Sequence, residues 1–374
     1  LGSVFYSLTG TLQSDARQFL NPDLNGKPTF AWPNINTGGS GIVSDSYGNA
    51  YFGTANSIDF KDPKSYQWNL SVDREVARST GVRVSYIGQR TLSLVWAPDL
   101  NQSYYSTEFY AAQPLSRRPF PNWGVINTRA TGASAIYHAG QVELNHHLSS
   151  TLLLNSTYTF ASNLADNQGP NSSGFAGETA GGRSMDTYNR GAEYGPVYAT
   201  RRHRWITTAV YELPFGRGRT YGAHMNKVAD AIVGGWRLSS SFLAQSGPYM
   251  TPTFSGGDPA GTGSGRIGRP QHPDRVGNGN LSNPTRDKWA DISAFACPGM
   301  SSWQATKPCR TGISPTSDPA PIGCYGNSGV GILHGPSTVN LSAGLAKTIA
   351  VTERVKVKVE GTFTNVLNHV NLAD

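Results

Sequence analysis

A two-residue alternation near the end of the chain constrains its fold more than any other feature. Residues 352–365 read TERVKVKVEGTFTN, so apolar side chains alternate with charged or polar ones. Successive side chains of a strand point to opposite faces, and this pattern therefore predicts a strand with one apolar and one polar face. In a soluble antiparallel sheet the apolar face would cover a core. In a transmembrane barrel it would meet lipid while the polar face lines a wet lumen.

The composition favours strands joined by long polar loops. Among the 374 residues, 37% are hydrophobic and only 15% are charged, while Gly (43) and Tyr (17) are abundant. No run of 18 or more apolar residues occurs, which excludes a membrane-spanning helix. A membrane β-barrel stays possible, because its signal is weak in each single segment.

Period-two patterns recur from residue 66 onward, and they divide the chain in two. Residues 1–65 are predicted to be loop-rich, with one or two possible strands. Residues 66–374 are predicted to be antiparallel strands, with a single short helix near 226–233. The predicted strands and hairpin arms cover 66–76, 82–86, 137–147, 151–162, 204–213, 235–245, 339–349 and 352–365.

The lengths of the connections are sorted along this series. Long loops are predicted at 90–136, 163–203 and 246–337, and the connections between them are short or medium. Outer-membrane barrels have short periplasmic turns and long extracellular loops, whereas a soluble sandwich has no reason to sort its loops by end. We therefore predict an all-β fold, an antiparallel transmembrane β-barrel with long extracellular loops. The eight to ten strands visible in the pattern are part of a larger barrel.

Five segments, in order along the chain, resemble TonB-dependent outer-membrane receptors of the Oar-like type, in the C-terminal part of the barrel. The segments are SYQWNLSVDREV (65–76), GVRVSYIGQR (81–90), RHRWITTAVYELPFGRGR (202–219), GGWRLSSSFLAQSGPYMT (234–251) and TERVKVKVEGTFTNVLNHVN (352–371). The resemblance implies the bacterial outer membrane, a barrel of about 22 strands with a plugged lumen, and import of a large substrate. We expect a plug domain and TonB as partners in the full-length protein. We also expect another segment or chain to complete the sheet edges.

The basic balance of the chain points to a lipid partner. The net charge is +7 and the pI about 9.3, but Lys and Arg are scattered, so we expect no nucleic-acid partner. Arg201, Arg202 and Arg204 lie where a long loop enters a strand. Because Arg pairs with phosphate in a bidentate manner, we expect these residues to contact lipopolysaccharide at the extracellular rim.

Two further groups of residues are candidates for a role. The polar face of the stretch 352–365 carries Arg354, Lys356, Lys358 and Glu360, which are predicted to line the lumen. Cys297, Cys309 and Cys324 all lie in one loop, where two of them are expected to form a disulfide, and the sequence does not say which two.

No constellation of residues supports catalysis, a cofactor or a metal. The match to GxGxxG at 263–268 has no strand before it and no helix after it, so it is predicted to be a loop. His146 and His147 are neighbours in a strand and point to opposite faces, so they cannot readily hold one ion together. The carboxylates are few and dispersed, and we expect no enzymatic activity.

Two alternatives stay open from the sequence. The chain could be a non-transporting surface barrel or assembly component. It could also be a soluble secreted β-sandwich that binds carbohydrate or protein, which would bury Val355, Val357 and Val359 inside the protein.

Overall fold

The computed structural model describes residues 54–107, 117–120, 126–148, 151–166, 184–253, 259–262, 271–298, 323–350 and 355–372. The possible strands of the loop-rich segment, at 4–12 and 47–54, lie outside these ranges except for Thr54, the first residue of β1. The described strands are β1 (Thr54–Asn56), β2 (Lys64–Ala77), β3 (Thr80–Trp96), β4 (Asn127–Leu148), β5 (Leu152–Ala165), β6 (Gly195–Pro196), β7 (His203–Glu212), β8 (Trp236–Gln245), β9 (Tyr249–Met250), β10 (Asp274–Arg275), β11 (Phe295–Ala296), β12 (Leu333–His334), β13 (Thr338–Ala350) and β14 (Lys356–Phe363).

One ten-stranded sheet holds most of these strands. Its order is β14-β13-β8-β7-β5-β4-β3-β2, and every neighbouring pair on this path is antiparallel. The short β1 adds in parallel to the start of β4, and β6 adds to the end of β5. The path follows the chain order, as hairpin-connected antiparallel strands do. The sheet does not close within the described residues, and β2 and β14 form its two edges.

The strands carry the predicted alternation on two distinct faces. In β14, Val357, Val359 and Phe363 share one face, and Lys356, Lys358 and Glu360 share the other. The register extends each face across the sheet, for example from Val72 through Val84, Val142, Tyr158 and Trp205. We call these the apolar face and the polar face.

No described residue covers the apolar face over most of its width, which contradicts a sandwich built from the described strands. The soluble alternative places Val355, Val357 and Val359 in a protein interior, but these side chains are 52%, 46% and 62% exposed. Leu70 and Val72 on the opposite edge are 69% and 63% exposed. A contiguous exposed apolar surface of this extent marks an interface with an apolar medium.

The short and medium connections lie at one end of the sheet. The turn between β2 and β3 is tight, with Ser79 in the left-handed region at φ 60°, and the connections from β4 to β5 and from β13 to β14 lie at the same end. This short-turn end also holds the medium connection from β7 to β8, with its helix α1 (Lys227–Val233) capped by Asn226. None of the described helices is long and apolar enough to span a membrane.

The long connections lie at the other end of the sheet, here called the long-loop end. They are loop 1 (97–126), loop 2 (166–202) and loop 3 (246–337), and two 3-10 turns occur in them at Arg190–Glu193 and Ile292–Ala294. Loop 1 is shorter than the expected 90–136, because β3 continues to Trp96 and β4 begins at Asn127. The extra length of β4 contains small residues such as Ala133 and Ala135, which give no clear alternation. With 22 residues, β4 is about twice as long as the roughly 10 residues that a transmembrane strand needs.

Candidate functional site

The three long loops pack into one layer, and one buried glutamine bonds to both of the other loops from loop 1. The amide nitrogen of Gln102 in loop 1 donates to Asp186 Oδ1 in loop 2 at 3.0 Å and to Tyr325 Oη in loop 3 at 2.8 Å. Its side-chain oxygen accepts from the backbone N–H of Thr187 at 2.9 Å. Gln102 is only 3% exposed, so these hydrogen bonds replace all of its contact with water.

Loop 1 is braced by two further buried polar residues. Asp99 Oδ1 accepts from the backbone N–H of Asn101 and of Ile126, both at 3.0 Å. Asn101 in turn bonds the backbone of Phe120 in both directions, at 3.0 Å and 2.7 Å. A loop whose backbone groups are satisfied by buried side chains holds a defined shape, because each lost bond would leave a buried polar group unpaired.

Tyr188 adds an aromatic contact between loops 1 and 2. Its hydroxyl donates to the backbone oxygen of Gln102 at 2.7 Å, and its ring stacks on Tyr104 at 4.9 Å between centroids. Burial, and after it the neighbouring Tyr104, raises the pKa of Tyr188 well above its usual range, so this hydroxyl stays a neutral donor.

Loop 3 has a small core of its own. Ala294, Phe295 and Leu333 are buried together, and Met250 packs against them, where the short pairs β10–β11 and β9–β12 meet. Cys297 is buried and disulfide-bonded, whereas Cys324 is a free, exposed thiol. Partial burial, and secondly the charge of Asp274, raises the pKa of the Cys324 thiol, so it is a poor nucleophile at neutral pH. Cys309 lies outside the described residues.

A cavity opens on the polar face at the long-loop end. It has a volume of about 220 Å³ and lies against β3, β4 and β5. Its lining offers amides and hydroxyls, from Gln89, Thr91, Tyr137 and Asn163, together with Ala135. Such a lining can hydrogen-bond a polar, uncharged group.

From this cavity the polar face continues to the short-turn end as a wall whose character changes. In the middle of the wall, hydroxyls such as Ser85, Thr157 and Ser241 lie beside apolar side chains such as Ile206 and Leu243. Towards the short-turn end it carries ion pairs: Arg83 with Asp73 at 2.6 Å and Glu143 at 3.7 Å, and Lys358 with Glu360. We call the residues of the polar face between the cavity and these ion pairs the polar wall. Of the predicted lumen residues, Lys356, Lys358 and Glu360 lie on this face, and Arg354 lies outside the described residues.

The three arginines predicted to share one site do not form one cluster. Arg204 is part of β7 on the polar face, opposite Thr159 and Gln245. The guanidinium of Arg202 lies over the ring of Phe160, at 5.3 Å, and Phe160 belongs to the apolar face. Arg201 donates to the backbone oxygen of Tyr198 at 3.3 Å. Arg201 and Arg202 precede β7, which begins at His203, so the alternation of the strand does not fix the direction of their side chains.

His146 and His203 form hydrogen bonds to side chains of neighbouring strands. His146 Nδ1 is 2.6 Å from Thr80 Oγ1, and His203 Nδ1 is 2.7 Å from Tyr158 Oη. The His147 side chain and residues 263–268 lie outside the described part of the chain. Within that part, no three His, Cys, Asp or Glu side chains lie close enough together to hold a metal ion.

The sequence analysis did not find the residues that hold the loop layer. Asp99, Asn101, Gln102 and Asp186 come from loops that are far apart in sequence, and loops carry no periodicity that could link them. The only signal was the density of short polar residues in these loops, which is also what an ordinary solvated loop shows.

Comparisons with known proteins show which family the chain resembles over nearly its whole length. The family model described as "Outer membrane beta barrel domain" matches residues 5–374. No curated protein matches the chain. Among solved structures, the outer membrane transporter YddB from Escherichia coli is similar at a TM-score of 0.40 and 7% sequence identity, over 86% of this chain. The chain spans 31% of the length of that protein.

Proposed function

The chain belongs to the outer membrane beta barrel domain family, and on this premise we propose that it is part of a TonB-dependent receptor of the Oar-like type that imports a large substrate. The family places the chain in the bacterial outer membrane. The apolar face then meets lipid, the long loops are extracellular and the short-turn end is periplasmic. The receptor assignment rests on the five sequence segments that resemble Oar-like receptors.

The observation that carries the proposal is the continuity of one polar surface across the sheet. It begins at the loop layer, includes the cavity of about 220 Å³ and ends at the ion pairs of the short-turn end. In this proposal the interlocked loops capture the substrate, the cavity holds one polar group of it, and the polar wall passes it inward. The proposal needs no bond-making chemistry in the chain, and the plug and TonB would belong to the full-length protein.

Import can be tested without knowing the substrate in advance. A growth medium would be compared by mass spectrometry after culture of the parent strain, a strain without this gene and a strain without TonB. We expect at least one large compound that only the parent depletes, and that the wild-type gene restores. Import would be refuted if the parent and the gene-deleted strain depleted the same compounds. TonB dependence would be refuted if the strain without TonB depleted them as well.

The cavity supplies a variant for the same assay. Gln89 lines it, and Gln89→Ala removes the amide that also bonds Ser65 Oγ at 2.9 Å. We expect slower depletion of the compound with Gln89→Ala. Gln67→Ala should leave the rate unchanged, because Gln67 lies opposite Gln89 on the polar face of β2 but outside the cavity. Equal rates for both variants would remove the cavity from the substrate path.

The open edges give a specific reason to keep the assembly role as a second candidate. Among the described strands, β2 and β14 each pair on one side only, so their outer edges are where further polypeptide would add to the sheet. A non-transporting assembly component predicts no difference between the media in the depletion assay, together with a stable complex in detergent.

Lipopolysaccharide is the lipid partner that we propose for the extracellular rim. Arg202 supports this, because its guanidinium lies beside Phe160 on the lipid-facing side, where a lipid phosphate would be within its reach. We expect Arg202→Ala to weaken binding to lipopolysaccharide-containing vesicles. Arg204→Ala is the matched control, since it removes the same charge from the polar face. Equal binding by both variants and the wild type would reject this contact.

A further inference from the structure

Helix α1 has its polar side turned towards the protein and its apolar side turned outward. Val228 and Ile232, one turn apart, are 73% and 67% exposed, and Ala231 between them is exposed as well. A helix on the surface of a water-soluble protein has the opposite arrangement. The outward side therefore faces something other than water.

The inward side is anchored by polar contacts within the connection from β7 to β8. Asp230 Oδ1 accepts from the backbone N–H of Arg217 at 2.7 Å, and Asn226 Oδ1 accepts from the backbone N–H of Ala229 at 2.8 Å. The Asn226 bond caps the helix from within, whereas the Asp230 bond ties the helix to the segment that precedes it. Val228 and Ile232 therefore cannot turn inward without breaking the bond between Asp230 and Arg217.

The C-terminal end of α1 is docked on the lipid-facing side of the sheet. Lys347 of β13 donates from Nζ to the backbone oxygen of Ile232 at 3.0 Å and to that of Gly234. Trp236 of β8, which lies directly opposite Lys347, donates from Nε1 to the same Ile232 oxygen at 3.0 Å. The Lys347 ammonium also lies 4.9 Å from the centre of the Trp236 ring. A lysine on the apolar face is thus neutralised by helix-end carbonyls and an aromatic ring.

We propose that α1 is a membrane anchor that lies in the periplasmic surface of the outer membrane and inserts Val228 and Ile232 among phospholipid acyl chains. The site is at the short-turn end, and it is continuous with the lipid-facing belt through Trp236 and Leu238. Exposed aromatic rings of Phe215 and Tyr221 and an exposed cation, Lys227, flank the helix. Aromatic rings and cations beside an apolar helix face are what an anionic phospholipid surface binds. The proposal does not depend on transport.

A fluorophore at position 232 tests the anchor. Ile232→Cys, in a background with Cys324→Ser, would be labelled with a polarity-sensitive dye and reconstituted in vesicles of phosphatidylethanolamine and phosphatidylglycerol. We expect emission typical of an apolar medium, strong quenching by lipids that carry a nitroxide on the acyl chain, and weak quenching by iodide. Thr220→Cys, an exposed position in the same connection, should show the reverse. The anchor is refuted if the label at 232 is quenched like the label at 220, or is shielded from both quenchers.

Lys347 provides an independent variant that leaves the label site intact. Lys347→Met removes the two bonds that Lys347 makes to the end of the helix and leaves the one from Trp236. We expect lipid quenching at position 232 to fall at least two-fold. Lys358→Met removes a lysine that pairs with Glu360 on the polar face of the next strand, and it should leave the quenching unchanged. Equal quenching in the wild type and Lys347→Met would show that Lys347 does not hold the helix at the membrane.

Discussion

Trp68 and Gly88 show how single residues shape the lipid-facing side near the extracellular end. The Trp68 indole lies across Gly88, the residue directly opposite it in β3, and contacts the His138 ring edge-on at 6.3 Å. His138 in turn bonds the Tyr86 hydroxyl through Nδ1 at 2.7 Å. Aromatic groups with one polar atom suit a membrane interface, where one end is apolar and the other is wet.

Adding a methyl group at Gly88 should disturb this packing. A Cβ there would lie 2.2 Å from Cε2 of Trp68, so the indole must move. We expect Gly88→Ala to lower the free energy of unfolding by about 1–3 kcal/mol, measured by denaturant titration in detergent. Gly140→Ala is the matched control, because a Cβ at Gly140 has nothing within 4 Å. Similar losses for both variants would show that the Trp68 contact does not matter.

Gln102 is the residue on which the loop layer depends most. Gln102→Leu leaves the carboxylate of Asp186 without its amide donor and breaks the bond to Tyr325. We expect a local cost of about 1–3 kcal/mol, seen as faster proteolysis of the loops while the sheet stays folded. Gln67→Leu on exposed β2 should not change the rate of loop cleavage. If Gln102→Leu is cleaved no faster than the wild type, the three loops are not joined through this residue.

At the scale of the strand, the two faces should respond differently to the same charge. Leu345 lies on the apolar face of β13 and Ser342 lies on its polar face, three residues away. A cation facing lipid costs about 2–4 kcal/mol at the middle of a bilayer and less towards its surfaces, so it has an intermediate cost at Leu345, whereas a cation facing a wet lumen is solvated. We therefore expect Leu345→Arg to lower the yield of folded barrel in the outer membrane, and Ser342→Arg to have little effect.

The readout is the fraction of protein that keeps its fast-migrating folded form in unheated gel electrophoresis. Equal loss for both arginines, or a larger loss for Ser342→Arg, would contradict the assignment of the faces.

Strands were predicted from the sequence wherever one face differs chemically from the other. The strand at 352–365 and the hairpin from residue 66 alternate clearly, and the structure confirms the hairpin and, as β14 (Lys356–Phe363), the described part of the strand. The outer half of β4 was missed, because Thr131, Ala133 and Ala135 do not differ enough from their neighbours to show a period. The loop layer could not be predicted either, since its bonds join residues up to 223 positions apart, as Gln102 and Tyr325 are.

At the scale of the whole molecule, the two edges that the described strands leave open require further strands. No water is present in the hydrocarbon core to satisfy the outer backbone groups of β2 and β14, and each unpaired group there costs several kcal/mol. We expect other polypeptide to pair with both edges in the outer membrane. A photo-crosslinking residue at Asn69 or at Lys358 should therefore capture polypeptide outside the described strands.

A paired-cysteine experiment distinguishes pairing with other polypeptide from direct pairing of β2 with β14, which would close the described strands into a smaller barrel. With Cys324→Ser, the variant Asn69→Cys/Lys358→Cys should form no disulfide between β2 and β14. Efficient formation of that disulfide would mean that these strands close a smaller barrel and that no further strands are needed.

The most direct test of the lipid-facing assignment is a nitroxide scan of β2 from Tyr66 to Asp73 in lipid vesicles. Collision rates with oxygen, which concentrates in the hydrocarbon, and with a water-soluble nickel complex would be measured at each of these positions in the Cys324→Ser background. The account predicts oxygen maxima with nickel minima at 66, 68, 70 and 72, where Tyr66, Trp68, Leu70 and Val72 lie on the apolar face. Equal access of the nickel complex to both faces, or oxygen maxima at 67, 69, 71 and 73 instead, would contradict it.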